Sequence, residues 1–334
     1  MKASQKVQEI QSIELTRIKK SAFIPLFYLG NRHLQTILAN IIHPPFPAVT
    51  KQRLELEDGD FIDLLWSEIR APRTLLILHG LEGSVHSAYA KRMLNYCNRQ
   101  KIAAIFMHFR GCSGEPNRQL RGYHSGETSD LRQVIEYLKS LGISDIALLG
   151  YSLGGNATLK YMGEAKTDTA IRCATAVSVP LRLDICADTM NKGFAKIYQR
   201  TLLDRLIKKM HLKRHLMDTH DLNFPDPSNM QNFRHFDDAF TAPIHGFDSA
   251  QHYYQKCSAR QFLCAIDKPT LIIQSRDDPF MNPDALPEEN ELSDSVTLEL
   301  SARGGHVGFI GGKLWPEAWL EKRIHRFLIE QHFI

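Results

Sequence analysis

One stretch limits what this chain can fold into more than any other: Ile146-Ala147-Leu148-Leu149-Gly150-Tyr151-Ser152-Leu153-Gly154-Gly155. Its first half is a short apolar run bounded by glycine, the pattern of a strand buried on both faces in a parallel sheet. Its second half is G-x-S-x-G, and Asn156 to Met162 then reads as a helix. A serine at the apex of a sharp strand-to-helix turn is the arrangement of a nucleophile elbow. The glycines are needed because strand and helix pack closely around a strained backbone. Chance gives G-x-S-x-G about 0.1 times in a chain of this size, and seldom between a strand and a helix. Ser152 is therefore read as a nucleophile, which obliges the chain to supply a base, an acid and oxyanion donors.

The pattern around this stretch is strand–helix alternation. An alternating segment, Lys51–Glu57, turns at Asp58-Gly59 and returns as Phe61–Trp66, an antiparallel hairpin. Strand Thr74–Leu78, helix Ala88–Gln100, strand Ile102–His108, helix Glu127–Leu141, strand Asp145–Leu149 and strand Ile171–Val177 follow, with strands Thr270–Ser275 and Val296–Leu300 and a helix from about Trp315 to Gln331 at the end. Short connections between alternating elements predict a doubly wound, mostly parallel sheet with the hairpin at its edge. Residues 1–22 are polar and read as a loose tail or a weak amphipathic helix, with Val7, Ile10 and Ile13 at helical spacing. Asn31 is placed to cap a short helix that His43-Pro44-Pro45-Phe46-Pro47 ends. Between Pro180 and Pro269 the alternation stops, and helical patterns alternate with loops such as Asn223–Ser228. That length predicts an inserted cap over 181–268, on a catalytic domain made of 23–180 and 269–334.

A serine hydroxyl needs a base to take its proton, and that base needs a carboxylate to hold its tautomer. In this type of fold the order is serine, acid, histidine, on loops after late strands. Asp277-Asp278-Pro279 follows strand 270–275, and Gly304-Gly305-His306 follows strand 296–300. His306 is the candidate base. Adjacent aspartates on a turn point different ways, so one of them should reach the ring; Asp278 is favoured because Pro279 fixes the backbone after it, leaving Asp277 to hold the loop or pair with Arg276. The N–H after the nucleophile, Leu153, is one expected oxyanion donor, and the N–H of Leu81, in His79-Gly80-Leu81-Glu82-Gly83, is the other. His79 reads as a structural neighbour, Cys112 as buried packing, His33 and Gln35 as packing or capping groups, and Ser125 as a cap for the helix near Glu127.

Composition narrows the rest. The net charge of +4 over 334 residues is small and dispersed, which argues against nucleic-acid binding. The scattered cysteines (97, 112, 173, 186, 257, 264) form no C-x-x-C pair and read as buried free thiols in a reducing compartment. No histidine–carboxylate or Cys/His cluster calls for a metal, and no cofactor is expected. No apolar run has the length of a membrane span and no signal-peptide core opens the chain, so the cytoplasm is the expected location. Lys192, Lys196, Arg200, Arg205, Lys208, Lys209, Lys213 and Arg214 fall largely between Phe194, Ile197, Leu203, Leu206, Ile207 and Met210. Such a basic amphipathic helix can lie on an anionic membrane surface, or pack on a core with a solvated face.

Taken together, Asn31…His33-Leu34-Gln35-Thr36, His79-Gly80-Leu81-Glu82-Gly83, Phe109-Arg110-Gly111-Cys112-Ser113-Gly114, Tyr123-His124-Ser125-Gly126, Gly150-Tyr151-Ser152-Leu153-Gly154-Gly155, Asp277-Asp278-Pro279-Phe280 and Gly304-Gly305-His306-Val307-Gly308-Phe309 resemble the YheT-like α/β-hydrolases, the AB hydrolase 4 family. The resemblance covers nearly everything after residue 22. It implies a serine hydrolase of carboxylic esters, with Ser152 as nucleophile, His306 as base and Asp278 as acid, acting on a small ester or lipid substrate. Transfer to an acceptor other than water, or ligand binding without catalysis, are the alternative expectations. Oligomeric state is left open.

Overall fold

The computed structural model describes residues 16–42, 44–165, 168–218 and 224–334. The first part of the expected tail, His43 in the proline-rich stop and Asn223 in the 223–228 loop lie outside the described residues. The strands are β1 (Ile18–Lys20), β2 (Val49–Glu55), β3 (Phe61–Ser67), β4 (Arg73–Leu78), β5 (Ala104–Met107), β6 (Asp145–Tyr151), β7 (Ile171–Val177), β8 (Thr270–Ser275) and β9 (Val296–Ser301). They form one sheet in the order β1-β9-β8-β7-β6-β4-β5-β3-β2. Pairings from β5 through β4, β6, β7, β8 and β9 to β1 are parallel, while β2 and β3 run antiparallel at the far edge. This is the doubly wound α/β-hydrolase sheet, hairpin included.

The apolar runs are continuous because both faces of the sheet are covered. Leu76, Leu78, Ile146 and Leu148 enter one core cluster, and their chain neighbours Leu75, Ile77, Ala147 and Leu149 enter the other. Helices α1 (Arg32–Ile41), α2 (Ala88–Gln100), α3 (Ser129–Ser140) and α4 (Leu153–Glu164) precede β7, and α8 (Trp319–Glu330) closes the chain. Asn31 caps α1, its side chain accepting from His33 and Leu34 N–H.

The structure corrects several boundaries. Ile18–Lys20, inside the expected tail, is an edge strand paired in parallel with Leu298–Leu300. Three residues are too few to show a periodicity, and the pairing satisfies the open edge of β9. The last helix begins at Trp319 rather than near Trp315, because Pro316 disfavours helical backbone at the residue before it. Gly311 instead bridges to Glu317.

Between β7 and β8 the described residues contain helices and turns and no strand. The longer helices are α5 (Leu183–Met190), α6 (Ala195–Leu212) and α7 (Ala250–Cys257). They enclose their own apolar cluster, which includes Met190, Leu203, Met210, Phe236, Phe240 and Tyr253, and Leu81 and Phe280 pack against it from the sheet side. The basic helix is the packed kind only in part. Leu203 and Met210 are buried and Lys196, Arg200, Arg205 and Lys208 are exposed, but Lys209 and Lys213 turn inward while Phe194 and Ile197 face out.

Candidate active site

Strand β6 delivers Ser152 at its carboxyl end, with φ 50° and ψ −117°, as the residue that precedes α4. A positive φ at a serine is strained and is held by its surroundings. Here the surroundings are close: a Cβ on Gly150 would lie 2.3 Å from Gly154 O, and one on Gly154 would lie 2.4 Å from His79 O. Only glycine fits at either position.

The residues read from sequence converge on this turn. His306 Nε2 lies 3.0 Å from Ser152 Oγ, and His306 Nδ1 lies 2.8 Å from Asp278 Oδ2. With the proton on Nδ1 the ring donates to the carboxylate and Nε2 is left to accept from the serine hydroxyl. The other Asp278 oxygen accepts from Phe280 N–H at 2.8 Å. Burial pushes the Asp278 carboxyl above its ordinary range, against the downward pull of the His306 ring and of these hydrogen bonds. The Phe280 ring stacks on His306 with centroids 3.9 Å apart and 13° between planes, covering one face of the imidazole.

The two aspartates divide the work. Asp278 meets the ring, while Asp277 Oδ1 accepts from Gly305 N–H at 3.0 Å and so holds the loop that carries it. More of that loop is pinned by groups whose part in holding it the sequence did not show. His306 N–H donates to Thr36 Oγ1 (2.9 Å) and Val307 N–H to Ser178 Oγ (2.9 Å). Gln35, read as a packing residue, accepts from Ile310 N–H at 2.8 Å and donates to Leu29 O and Ile310 O. These roles leave no periodic signal, since they depend on α1 and the end of β7 being laid against the β9 loop.

The candidate oxyanion donors sit on either side of the serine. Leu153 N–H heads α4, where no preceding helical carbonyl can take it. In the loop after β4, Gly80 N–H donates to Tyr89 OH (2.9 Å), Glu82 N–H to Tyr123 OH (2.7 Å) and Gly83 N–H to Gly80 O (2.9 Å). Leu81 N–H is the exception, with no acceptor among the described residues. Backbone and hydroxyl are close at this point: a Cβ on Gly80 would lie 3.1 Å from Ser152 Cβ. Glu82 adopts φ 53° and is held there by Tyr123 OH (2.8 Å) and by Lys209 Nζ (2.7 Å) from α6.

Other expectations divide. His79 is fully buried; Nδ1 lies 2.7 Å from Gly80 O, Nε2 accepts from Phe109 N–H at 3.0 Å, and burial lowers its pKa to about 3. It is a neutral strut between loops. Cys112 is buried with its thiol pushed up to about 11 by desolvation, and Lys209 Nζ lies 3.0 Å from its sulfur. Ser125 is not the cap of α3. Glu127 Oε1 accepts from Ser129 and Asp130 N–H instead, while Ser125 N–H donates to Tyr253 OH. A carboxylate is a stronger acceptor for the positive end of a helix than a hydroxyl. Arg110 is wholly buried between Asp130, Asp58 and Asp60. His33 Nδ1 lies 3.1 Å from Tyr198 OH, which ties α1 to α6. Five cysteines are buried as expected, and Cys264 is exposed. Among the described residues no three His, Cys, Asp or Glu side chains group as metal ligands would, and no helix is long and apolar enough to cross a membrane.

Ser152 and His306 stand where two spaces meet. An inner cavity of about 140 Å³ runs beneath the helical segment, lined by Leu183, Ala187, Met190, Phe233 and Phe236. An outer groove of about 480 Å³ opens between α1, the Leu81 loop and α6. A hydroxyl, an imidazole and a carboxylate in this relay, beside two backbone donors, form a site able to attack a carbonyl and hold the resulting oxyanion.

That combination, on a mostly parallel sheet with the serine at a strand-to-helix turn, defines the class. The model of the α/β hydrolase fold family matches residues 73–313, and the chain belongs to that family. Within it the chain is YheT-like: it is 42% identical over 332 residues to the Escherichia coli (strain K12) protein named "Putative esterase YheT", covering 96% of this chain and 97% of that one. It is also 27% identical over 311 residues to the phospholipase ABHD3 of Mus musculus, covering 88% of this chain and 74% of that protein. Among solved structures it resembles the Pyrococcus furiosus esterase Pf2001, with a TM-score of 0.59 at 19% identity over 85% of this chain and 91% of that one, a likeness of fold.

Proposed function

We propose that this chain is a serine hydrolase of carboxylic esters, working through an acyl-enzyme on Ser152. Ser152 Oγ attacks the ester carbonyl and its proton passes to His306 Nε2. The oxyanion is held by the N–H groups of Leu81 and Leu153. Collapse of the tetrahedral intermediate releases the alcohol, which takes the proton from His306. Water then repeats the sequence, and the acid leaves with Ser152 restored. Asp278 keeps the ring in the working tautomer and stabilises the imidazolium that forms. The observation that carries this reading is the relay itself, 3.0 Å from hydroxyl to imidazole and 2.8 Å from imidazole to carboxylate.

Residues 181–268 serve in this reading as a cap, with the acyl chain in the apolar inner cavity and the alcohol portion toward the outer groove. The size of the inner cavity favours short- to medium-chain acyl esters or acylglycerols. The esterase and phospholipase names of the relatives support the same reaction class. Exposed Phe194 and Ile197, beside Lys196 and Arg200 on α6, suit contact with lipid aggregates. Treatment with a fluorophosphonate followed by peptide mass mapping tests the core of the proposal. A single adduct on Ser152, with turnover of a graded panel of nitrophenyl esters and acylglycerols that Ser152→Ala lacks, is the expected result. No adduct would leave a binding protein, and an adduct without hydrolysis of any ester would leave a transferase.

A further inference from the structure

A second cavity lies beyond the wall of the inner one. It measures about 300 Å³ and sits between α6 and the loop 110–123, with Tyr123, Leu206, Phe236 and Thr241 shared between the two linings. Its interior is apolar, formed by Leu120, Leu206, Phe240 and Ile244. Its charged groups are mostly committed elsewhere. Arg110 is held by Asp58, Asp60 and Asp130, Lys209 by Glu82, and Lys213 Nζ donates to the carbonyls of Gln119, Leu120 and Arg121. The lining carboxylates are committed too, Glu82 to Lys209 and Glu115 to Arg53. Arg205 and Lys208 are left, exposed at the rim and without an ion-pair partner among the described residues.

An apolar chamber with two cations at its rim that are uncommitted among the described residues, and with no uncommitted acid among the described residues of its lining, has the chemistry to hold a molecule with an anionic head and one hydrocarbon tail. We propose that this cavity is a second binding site, for a single-chain carboxylate, with the tail against Leu120, Leu206, Phe240 and Ile244 and the head group between Arg205 and Lys208. Such a molecule is of the class that hydrolysis of an acyl ester releases, so the physiological interest of the site rests on the proposed function. Its existence does not, because occupancy is read by binding.

Two substitutions address this cavity without touching the lining of the inner one. Gly122 lines the second cavity and a Cβ added there would meet nothing within 4 Å, so Gly122→Leu adds bulk at the cavity wall without a clash at its first atom. Lys208→Glu reverses a charge at the rim. Hexadecanoate, kept below its micelle concentration, is titrated calorimetrically into the full chain, before and after reaction with a short-chain fluorophosphonate. The expected result is binding that survives the phosphonate adduct, weakens at least tenfold in Gly122→Leu and about fivefold at low salt in Lys208→Glu. Hexadecanol, the same tail without the charge, should bind more weakly and ignore Lys208→Glu. Absence of binding overturns the proposal. So does binding that the adduct abolishes and Gly122→Leu leaves unchanged, which would place the tail in the active-site cavity. Should the phosphonate fail to react, the proposed function falls while the Gly122→Leu and Lys208→Glu comparisons still decide this site. A thermal melt of Gly122→Leu distinguishes a filled cavity from a damaged fold, and exposed Lys208 provides the variant that folding does not constrain.

Discussion

The sheet and the helical segment over it are packed from different materials. Strands β4 and β6 present Leu75, Leu76, Ile77, Leu78, Ile146 and Leu149, all without exposure, in a lattice that both backbone pairing and side-chain packing fix. The helical segment buries Met190, Met210, Met217 and Met230 with Phe233, Phe236 and Phe240. Methionine bends to fill irregular space and tolerates change, whereas branched aliphatics on paired strands do not. Groups that the proposed chemistry needs within tenths of an ångström of one another, Ser152, Asp278 and His306, hang from strand ends. The walls of the cavities, which have to fit a chain rather than an atom, come largely from the helices. Precision belongs to the first region and accommodation to the second.

The comparison can be tested from its most demanding point outward. Asp278→Asn keeps the shape of the buried partner but offers the wrong hydrogen bond to His306, and should lower kcat by about 10⁴-fold with little change in melting temperature. A drop below tenfold, in steady-state turnover of a nitrophenyl ester, would mean that the sheet side does not need its precision. Arg110→Met leaves Asp60 buried without its cation and Asp130 with only the longer 3.6 Å contact to Arg121, and should cost about 3–5 kcal/mol in urea unfolding. A loss under 1 kcal/mol would show that this loop on the sheet side can relax after all.

Lys209→Met probes the seam. The ammonium of α6 reaches Glu82, whose φ of 53° sets the backbone next to Leu81. Cutting that contact should loosen one of the two proposed oxyanion donors and lower kcat about tenfold while KM stays within twofold, with Lys209→Arg recovering most of the rate. Equal loss in both parameters, without rescue, would make the lysine a packing residue only. The smallest effect is expected inside the helical segment. Asp237 accepts from Thr241 and Tyr254 hydroxyls, and burial raises its pKa to about 6. A carboxyl raised by folding contributes its stability at low pH and loses it as pH climbs through the folded value. Asp237→Asn should therefore melt about 3 °C above the parent at pH 8 and show no advantage at pH 4, by calorimetry at both. A gain that is the same at both pH values would remove ionisation as its cause.

Much of the sheet was legible because periodicity is local. Helix Ala88–Gln100 and strands Ile171–Val177 and Thr270–Ser275 fall where the apolar pattern puts them. The order serine, aspartate, histidine on the turns after β6, β8 and β9 was legible for the same reason, each motif being a few contiguous residues. Elements that owe their shape to a distant neighbour were not. Residues 18–20 become a strand only because β9 has an open edge, and Ser125 loses the capping role because Glu127 reaches the same amides.

By itself the sequence determined the material of the site: a serine between glycines at the end of a buried strand, two adjacent aspartates, and a histidine after a glycine pair. It determined them because strand ends, turns and side-chain chemistry are set within a few residues. Only the folded chain decided that Asp277 ties down Gly305 in particular, that Thr36 and Ser178 anchor the histidine loop, and that Lys209 turns toward Glu82. Those partners are tens to hundreds of residues apart, and a hydrogen bond across that distance exists only once the sheet has brought both ends to one edge.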